Sequence, residues 1–308
     1  MKSALIIGEA LIDGVIRPGK DVVEHPGGSP ANVALGLARL GRSVDLATWF
    51  GTDPHGAQLR THFKIGDVRV VPGSDRATRT STAFATLDDT GAATYEFDLE
   101  WQVPEVHLDS GVGLVHVGSI ASILQPGADG VLEIVRAAAE FATISYDPNL
   151  RPTIMGERDD VRERVELLVG AADVVKVSDE DLRWLYPEEV EEEVVRRWAA
   201  LGPSLLVLTR GGAGAMALTS AGLELEMPAP RVTVVDTVGA GDSFTSGLLD
   251  ALWTADLLGA SRRERLREID PSALHAAMQW SVHNAAITVS RAGANPPRRS
   301  EVIESIDA

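Results

Sequence analysis

The sequence predicts a three-layer α/β fold with a mainly parallel sheet, plus a small separate β segment. Three observations carry this reading. Short apolar runs rich in β-branched residues alternate with helix-length periodic stretches along the 308 residues, as in strands feeding helices across a parallel sheet. Each run ends near Gly, Asp, Asn or Ser. Two extended segments, Gly14–His25 and Thr82–Leu99, break the alternation.

Core strands are expected at Ala4–Ile7, Val44–Trp49, Leu114–Val117, Thr143–Asp147, Val174–Val177 and Leu205–Thr209. Ligands in such sheets bind beyond the carboxyl ends of the strands, so function belongs to the loops that follow them. Helix starts are legible as a capping residue followed by proline. Ser29-Pro30 precedes Ala31–Leu40, which Gly41 ends; Asp53-Pro54 opens another helix; Asp270-Pro271 precedes Ala273–Val289. Thr82–Leu99 reads as two alternating strands joined at Asp88-Asp89-Thr90-Gly91, a hairpin that either packs at an edge or covers a site. The acidic run Glu188–Glu193 reads as a solvated helix N-terminus favoured by the dipole.

Composition narrows the function classes. Apolar residues make up 44% of the chain, enough for a large core. The net charge is −17 and the isoelectric point about 4.8. That field repels polyanions, so neither nucleic acid nor an anionic membrane is an expected partner. With no cysteine, disulfides, thiolate nucleophiles and Cys-based zinc sites are excluded. The apolar run at the start is too short for a signal peptide or a span, and a cytoplasmic location is expected. The P-loop, protein-kinase and His-Glu-x-x-His motifs are absent, and Gly8 opens no dinucleotide fingerprint.

The most informative stretch is Val235-Asp236-Thr237-Val238-Gly239-Ala240-Gly241-Asp242-Ser243-Phe244. A strand-like run, Val232–Val235, enters it, and a helical pattern, Ser243–Trp253, leaves it. Small residues at 239–241 let backbone N–H groups converge at a helix start and bind an anion. Asp242 projects into the same spot. A carboxylate beside an anion hole suits phosphoryl transfer to an alcohol, orienting the hydroxyl and accepting its proton. Alone, the stretch would suit a capped helix better than a site. A second motif, Pro26-Gly27-Gly28-Ser29-Pro30-Ala31-Asn32, puts close-approach glycines and a carboxamide on another helix start.

Together the two motifs resemble the ribokinase-like (PfkB) family of carbohydrate kinases. Gly27-Gly28-x-x-x-Asn32 ending at Gly41 looks like the N-terminal signature, and Asp236–Asp242 like the C-terminal one. Gly51-Thr52-Asp53-Pro54-His55-Gly56 also fits, and the resemblance spans almost the whole chain. It implies a ribokinase-like core of residues 1–12, 26–81 and 101–308, with a β lid of residues 13–25 and 82–100. It implies an ATP-dependent sugar kinase using Mg²⁺, with K⁺ as a further candidate, and a homodimer through the lid. Asp242 matches the catalytic base, and Gly239, Ala240 and Gly241 the anion hole. Asp13, Gly27, Gly28, Asn32 and Arg151 match substrate contacts. Lys176, Ser178, Thr209, Gly211, Gly214 and Asn284 match the nucleotide side. Many members carry Asn-x-x-Glu where this chain has Ser178 and Asp181. Asp181 is thus a water-mediated Mg²⁺ contact or one half of a helix capping box. Asp236 and the carbonyls of Val238 and Gly293 match a monovalent-cation site, although Pro296-Pro297 offers no hydroxyl ligand.

Within the family, Gly-Gly-Ser-Pro-Ala-Asn, Asp147-Pro148-Asn149-Leu150-Arg151 and Lys176-Val177-Ser178-Asp179-Glu180 look like fructokinases. Alternatives are a 2-keto-3-deoxygluconate kinase, a ribokinase or nucleoside kinase, and a non-catalytic sugar sensor. The lid run Tyr95–Glu100 has no Lys or Arg, which favours a neutral polyol unless Arg79 reaches in.

Overall fold

A computed structural model describes residues 3–16, 19, 21–87 and 93–307. The strands are β1 (Ser3–Ile7), β2 (Leu11–Ile16), β3 (Val23–Gly27), β4 (Val44–Ala47), β5 (Arg69–Val70), β6 (Thr82–Leu87), β7 (Ala93–Asp98), β8 (Val112–Gly118), β9 (Thr143–Asp147), β10 (Val174–Ser178), β11 (Leu205–Thr209), β12 (Ala215–Thr219) and β13 (Glu224–Met227). The helices are α1 (Ser29–Arg39), α2 (Pro54–Ile65), α3 (Gly127–Ala138), α4 (Pro152–Met155), α5 (Arg158–Ala171), α6 (Asp179–Leu185), α7 (Glu191–Ala199), α8 (Ala240–Thr254), α9 (Arg263–Arg267), α10 (Pro271–Val289) and α11 (Arg299–Asp307).

Nine strands form the main sheet in the order β13-β12-β11-β10-β9-β8-β1-β4-β5. All neighbours pair in parallel except β11–β12 and β12–β13. Central strands are mostly apolar because helices cover both faces, with His116 of β8, Ser145 of β9 and Lys176 of β10 as buried polar exceptions. Leu5 and Ile7 of β1 face the layer holding Val135, Val165 and Trp198, whereas Ala4 and Ile6 face Leu37, Leu248 and Met278. Trp198 is wholly buried; truncating a core aromatic of this kind costs about 3–5 kcal/mol.

Chain order reverses at β1. Strands β4 and β5 extend the sheet one way, and β8 to β11 the other. Such a switch point opens a crevice past the carboxyl ends of its strands, here beyond Ile7 and Gly118. A second, four-stranded sheet, β3-β2-β6-β7, begins just after β1. Strand β2 pairs antiparallel with β3 and parallel with β6, and β6 pairs antiparallel with β7. The turn expected at Asp88–Gly91 lies outside the described residues.

Two local expectations are corrected. Val232–Val235 forms no strand: Val232, Val234 and Val235 are exposed. Val235 and Asp236 donate only to the Val289 carbonyl at the end of α10, at 2.8 and 3.2 Å. β-branched residues with no neighbouring strand have no ladder to join. Ser29 does not cap α1. Gly28 holds that position at φ 103°, and Ser29 is the first helical residue.

Candidate active site

Two helices start with a glycine at the crevice. Gly239 takes the N-cap of α8 at φ 76°, and no side chain caps the helix. A Cβ on Gly239 would lie 2.7 Å from the Ala294 methyl, so only glycine fits. The amides of Gly241 and Asp242 then lack an intrahelical acceptor and have no partner among the described residues. Gly28 starts α1 in the same way, and a Cβ there would lie 2.4 Å from the Glu9 carbonyl.

Asp242 sits between the two starts and is buried. The Ser29 hydroxyl donates to its Oδ1 at 2.6 Å, and the Asn32 amide donates to its Oδ2 at 2.8 Å. Two motifs some two hundred residues apart thus close on one carboxylate. Sequence reasoning missed this clamp. Asn32 was expected to offer a donor and an acceptor to a polyol; its Nδ2 also donates to Asp242. Asp13 lies alongside. A Cβ on Gly27 would fall 2.0 Å from the Asp13 carboxylate, so Gly27 makes room for that group. Asp13 is open to water in the crevice, yet protein atoms crowd round it. Desolvation pushes its carboxyl up to about 6, with Asp242 adding repulsion and Arg151 opposing it. Exposure to water keeps the effect on stability small.

Glu9 was not singled out from the sequence. It is buried just past β1 and accepts from the Ala121 amide at 3.2 Å. Burial pushes its carboxyl up to about 7, against hydrogen bonds from Ser119 and Ala121 and the charge of Arg151. Arg151 is exposed. Its Nη1 donates to the Asn149 carbonyl and side chain at 3.1 and 2.9 Å, and to the Leu150 carbonyl at 2.8 Å. It pairs with no carboxylate among the described residues. Arg79 does not reach in: Asp98 holds it at 2.7 and 2.5 Å, with Glu100 close by.

The floor beneath α8 is charged. Lys176 and Asp147 are buried and pair at 3.1 Å, and the Thr245 hydroxyl donates to the same Asp147 oxygen at 3.2 Å. The other oxygen, Asp147 Oδ1, is buried with no partner among the described residues. Burial pulls the Lys176 ammonium down, but Asp147, Asp181 and Asp242 outweigh it and raise it. Burial lifts Asp147 to about 6, with Asp181 and Asp242 adding to the rise and Lys176 opposing. Asp181 closes a capping box with Ser178 on α6. Its Oδ1 takes the Leu150 amide at 2.8 Å, and its Oδ2 takes the Ser178 hydroxyl at 2.7 Å.

On the other side, Thr209 lies half-buried at the end of β11, and Gly211 is exposed in the turn after it. Gly214 is needed for packing, since a Cβ there would lie 2.1 Å from the Met227 carbonyl. Asn284 lies outside the crevice, contrary to expectation. It is wholly buried between α8 and α10; its side-chain amide donates to the Trp280 carbonyl at 2.7 Å, and its backbone carbonyl accepts from the Ser243 hydroxyl at 3.0 Å. Small residues such as Gly247 bring the two helices so close that this carboxamide becomes interhelical packing. Asp236 joins two loops, accepting from Val238 N at 3.0 Å and Gly293 N at 2.8 Å.

The profile of the pfkB family carbohydrate kinases matches residues 1–300. The chain belongs to that family. It is 33% identical over 258 residues to a fructokinase of Klebsiella pneumoniae, covering 80% of this chain and 83% of the relative. It superposes on the Xylella fastidiosa fructokinase with bound ATP at a TM-score of 0.86, with 26% identity, covering 100% of this chain and 99% of that one. A fructokinase double mutant of Vibrio cholerae O395, in its fructose, ADP and potassium ion bound form, gives 0.80 at 26% identity over 99% and 98% of the two chains. The protein is therefore an ATP-dependent sugar kinase with a ribokinase-like fold. No helix among the described residues is long and apolar enough to cross a membrane.

The donors differ in how they suit a metal. Among the described residues no group of three His, Asp or Glu side chains is set to hold an ion. Asp181 accepts three protein hydrogen bonds, one on Oδ1 and two on Oδ2, which leaves it less free for direct ligation than Asp236 with two. Asp236 keeps unused lone pairs beside two backbone segments, which fits a weakly held monovalent cation.

Proposed function

We propose that this kinase phosphorylates fructose at its 6-hydroxyl. One observation carries the chemistry: a buried carboxylate, Asp242, clamped by Ser29 and Asn32 beside the uncapped amides of α8. The similarity to fructokinases carries the sugar. The locked Arg79–Asp98 pair supports a neutral substrate.

Fructose hydroxyls bind at Asp13, Gly28 and Asn32, and the second sheet covers them as a lid that excludes water. The γ-phosphoryl group lies at the amides of Gly241 and Asp242. Asp242 takes the proton of the attacking hydroxyl as the oxygen–phosphorus bond forms. The bond to the β,γ-bridging oxygen breaks, and ADP leaves with its electron pair. Arg151 is poised at the sugar side for phosphate oxygens. Thr209 and Gly211 border the nucleotide. Mg²⁺ bound with ATP would offset the charge of the phosphates, and Asp181, which also caps α6, would reach it through water. K⁺ at Asp236 and the carbonyls of Val238 and Gly293 would fix the turn at Gly239. A homodimer through the second sheet is supported by its exposed Val23 and Tyr95, with Val22 just before it also exposed. We assign the enzyme to the cytoplasm, in keeping with a cysteine-free sequence.

The test is ADP release with Mg²⁺ and K⁺ over fructose, ribose, 2-keto-3-deoxygluconate and adenosine, with Asp242→Asn beside the parent. Fructose should lead the panel. The variant should lose about 10³-fold in turnover and keep sugar binding. A lead for the keto acid would move the substrate to Arg151, and near-parental turnover in the variant would remove Asp242 as the base.

A further inference from the structure

Helix α1 reaches towards the reaction site from both of its ends. At its start, no side chain caps the helix, and Ser29 and Asn32 hold Asp242. Its last residue is Arg39. A cation at that end suits the helix dipole, but the dipole alone would leave the side chain in solvent. Arg39 is instead half-buried, and its Nη1 donates to the Asn295 side-chain oxygen and to the Pro296 carbonyl, each at 2.5 Å. No carboxylate pairs with it among the described residues. Burial pulls the guanidinium below its usual range, Arg298 and Arg291 add repulsion, and Glu301 opposes them. Glu301 is itself taken by Arg291 and by the Arg298 amide. A guanidinium with only neutral loop acceptors is costly to bury, and it stands in a chain with 45 acidic residues that could have paired it.

The loop that Arg39 holds lies behind the glycine start of α8. A Cβ on Gly239 would lie 2.7 Å from the Ala294 methyl and 2.9 Å from the Ala294 Cα. Gly293, at φ 68°, gives its amide to Asp236 at 2.8 Å, and its carbonyl accepts from the Asn295 amide at 2.8 Å. Pro296 is buried against α1, where a Cβ on Gly36 would lie 3.7 Å from its Cβ. Residues 293–296 are thus tied at one end to Asp236 and at the other to Arg39. We infer that Arg39 is a positioning residue for phosphoryl transfer. Through Asn295 and Pro296 it fixes Ala294 behind Gly239, and so aims the amides of Gly241 and Asp242. The inference rests on the phosphoryl group lying at the α8 start, as read above. Charge grows on the phosphoryl oxygens during transfer, and those amides meet it. Misplacing such donors by about 1 Å costs about 100-fold in rate. The sugar binds at the opposite end of α1, so its affinity depends little on this tie.

The test compares Arg39→Met, Arg39→Lys and Asn295→Ala with the parent, and with Arg42→Met as a control. Arg42 ties the same end of α1 to Asp250 and Thr254, towards the far end of α8. The readouts are kcat, sugar KM, melting temperature, and affinity for ADP with and without aluminium fluoride, which mimics the phosphoryl group in flight. Arg39→Met should lose about 30-fold in kcat. Its sugar KM and its affinity for ADP alone should stay within about threefold, and its preference for the fluoride complex should fall by about as much as kcat. Arg39→Lys should recover to within about threefold of the parent, because one ammonium can give to both acceptors as the single Nη1 does. Asn295→Ala keeps the arginine, removes one acceptor and should lose about tenfold in the same pattern; it decides the matter if Arg39→Met does not fold. Arg42→Met should lower the melting temperature and leave kcat within about twofold. Parental kcat in a folded Arg39→Met, or in Asn295→Ala, overturns the inference. An equal loss of kcat in Arg42→Met overturns it too, since the tie would then serve stability alone. A parent that prefers the fluoride complex yet phosphorylates no sugar would instead defeat the fructose reading, while that preference in the variants still decides the role of Arg39. A parent with neither turnover nor preference overturns both.

Discussion

Two pairs of helix starts in this protein contrast. Helices α2 and α10 begin with aspartate and proline: Asp53 accepts from Gly56 N, and Asp270 from Ser272 N. Helices α1 and α8 begin with glycine at positive φ, and no side chain caps them. The first kind satisfies its own donors. The second leaves them facing a crevice, where an anion can take them. The carboxylates nearby differ to match. Burial works against Asp53, but hydrogen bonds from Thr80 and Gly56 outweigh it and hold its carboxyl below the usual range. Glu9 and Asp13, beside the α1 start, are pushed up to about 7 and about 6 by desolvation. Capped starts build the fold, whereas uncapped starts next to weakly satisfied carboxylates mark the site.

The sharpest way to break this comparison is Gly239→Ala. The new methyl needs left-handed backbone and meets Ala294 at 2.7 Å, so stability should drop by about 1–2 kcal/mol. The α8 amides should shift, and turnover should fall about 100-fold. Steady-state kinetics beside a denaturant melt would show both; parental turnover would mean that the glycine start serves the fold alone.

Glu9→Gln tests the uncapped side through pH. Below pH 4.5 the acid is neutral in both folded and unfolded chains. Between 4.5 and about 7 the unfolded chain releases a proton that the fold keeps, so this group's contribution falls as pH rises. Above about 7 the loss is complete, at about 3 kcal/mol. The glutamine variant should therefore gain on the parent by about that amount as pH climbs through this window. His116 acts oppositely in both proteins, losing stability as pH falls from 6.5 towards about 3, so it cancels in the difference. Parallel urea melts across pH that show a constant gap would refute the buried-acid reading.

Asp53→Ala should have the smallest effect. Loss of the cap costs about 1 kcal/mol, with turnover unchanged within about twofold. A larger loss of activity than of stability would place the α2 start in the site as well.

Much of this was legible in the sequence. The core strands at Ala4–Ile7 and Leu205–Thr209 were readable because burial on both faces demands unbroken apolar runs. Asp53 and Asp270 were readable because their partners lie within a few residues. Ser29 was misread as a cap for the same reason: nothing local says that its hydroxyl turns to Asp242, 213 residues away. Asn284 was matched to the nucleotide side by the family resemblance, and nothing local in the sequence says that α8 packs against it. Glu9 carries no motif, and its raised acidity comes from burial that only the fold creates.

The sequence by itself determined which segments become strands and helices, which glycines can hold positive φ, and the family. Those properties depend on periodicity and on residues close along the chain. Only the tertiary structure decided which polar groups face one another. It turned Ser29 and Asn32 to Asp242, set Lys176 under Gly241 against Asp147, and left Val232–Val235 without a sheet to join. Hydrogen bonds, ion pairs and desolvation act over a few ångströms in space, and chain folding is what brings distant residues within that range.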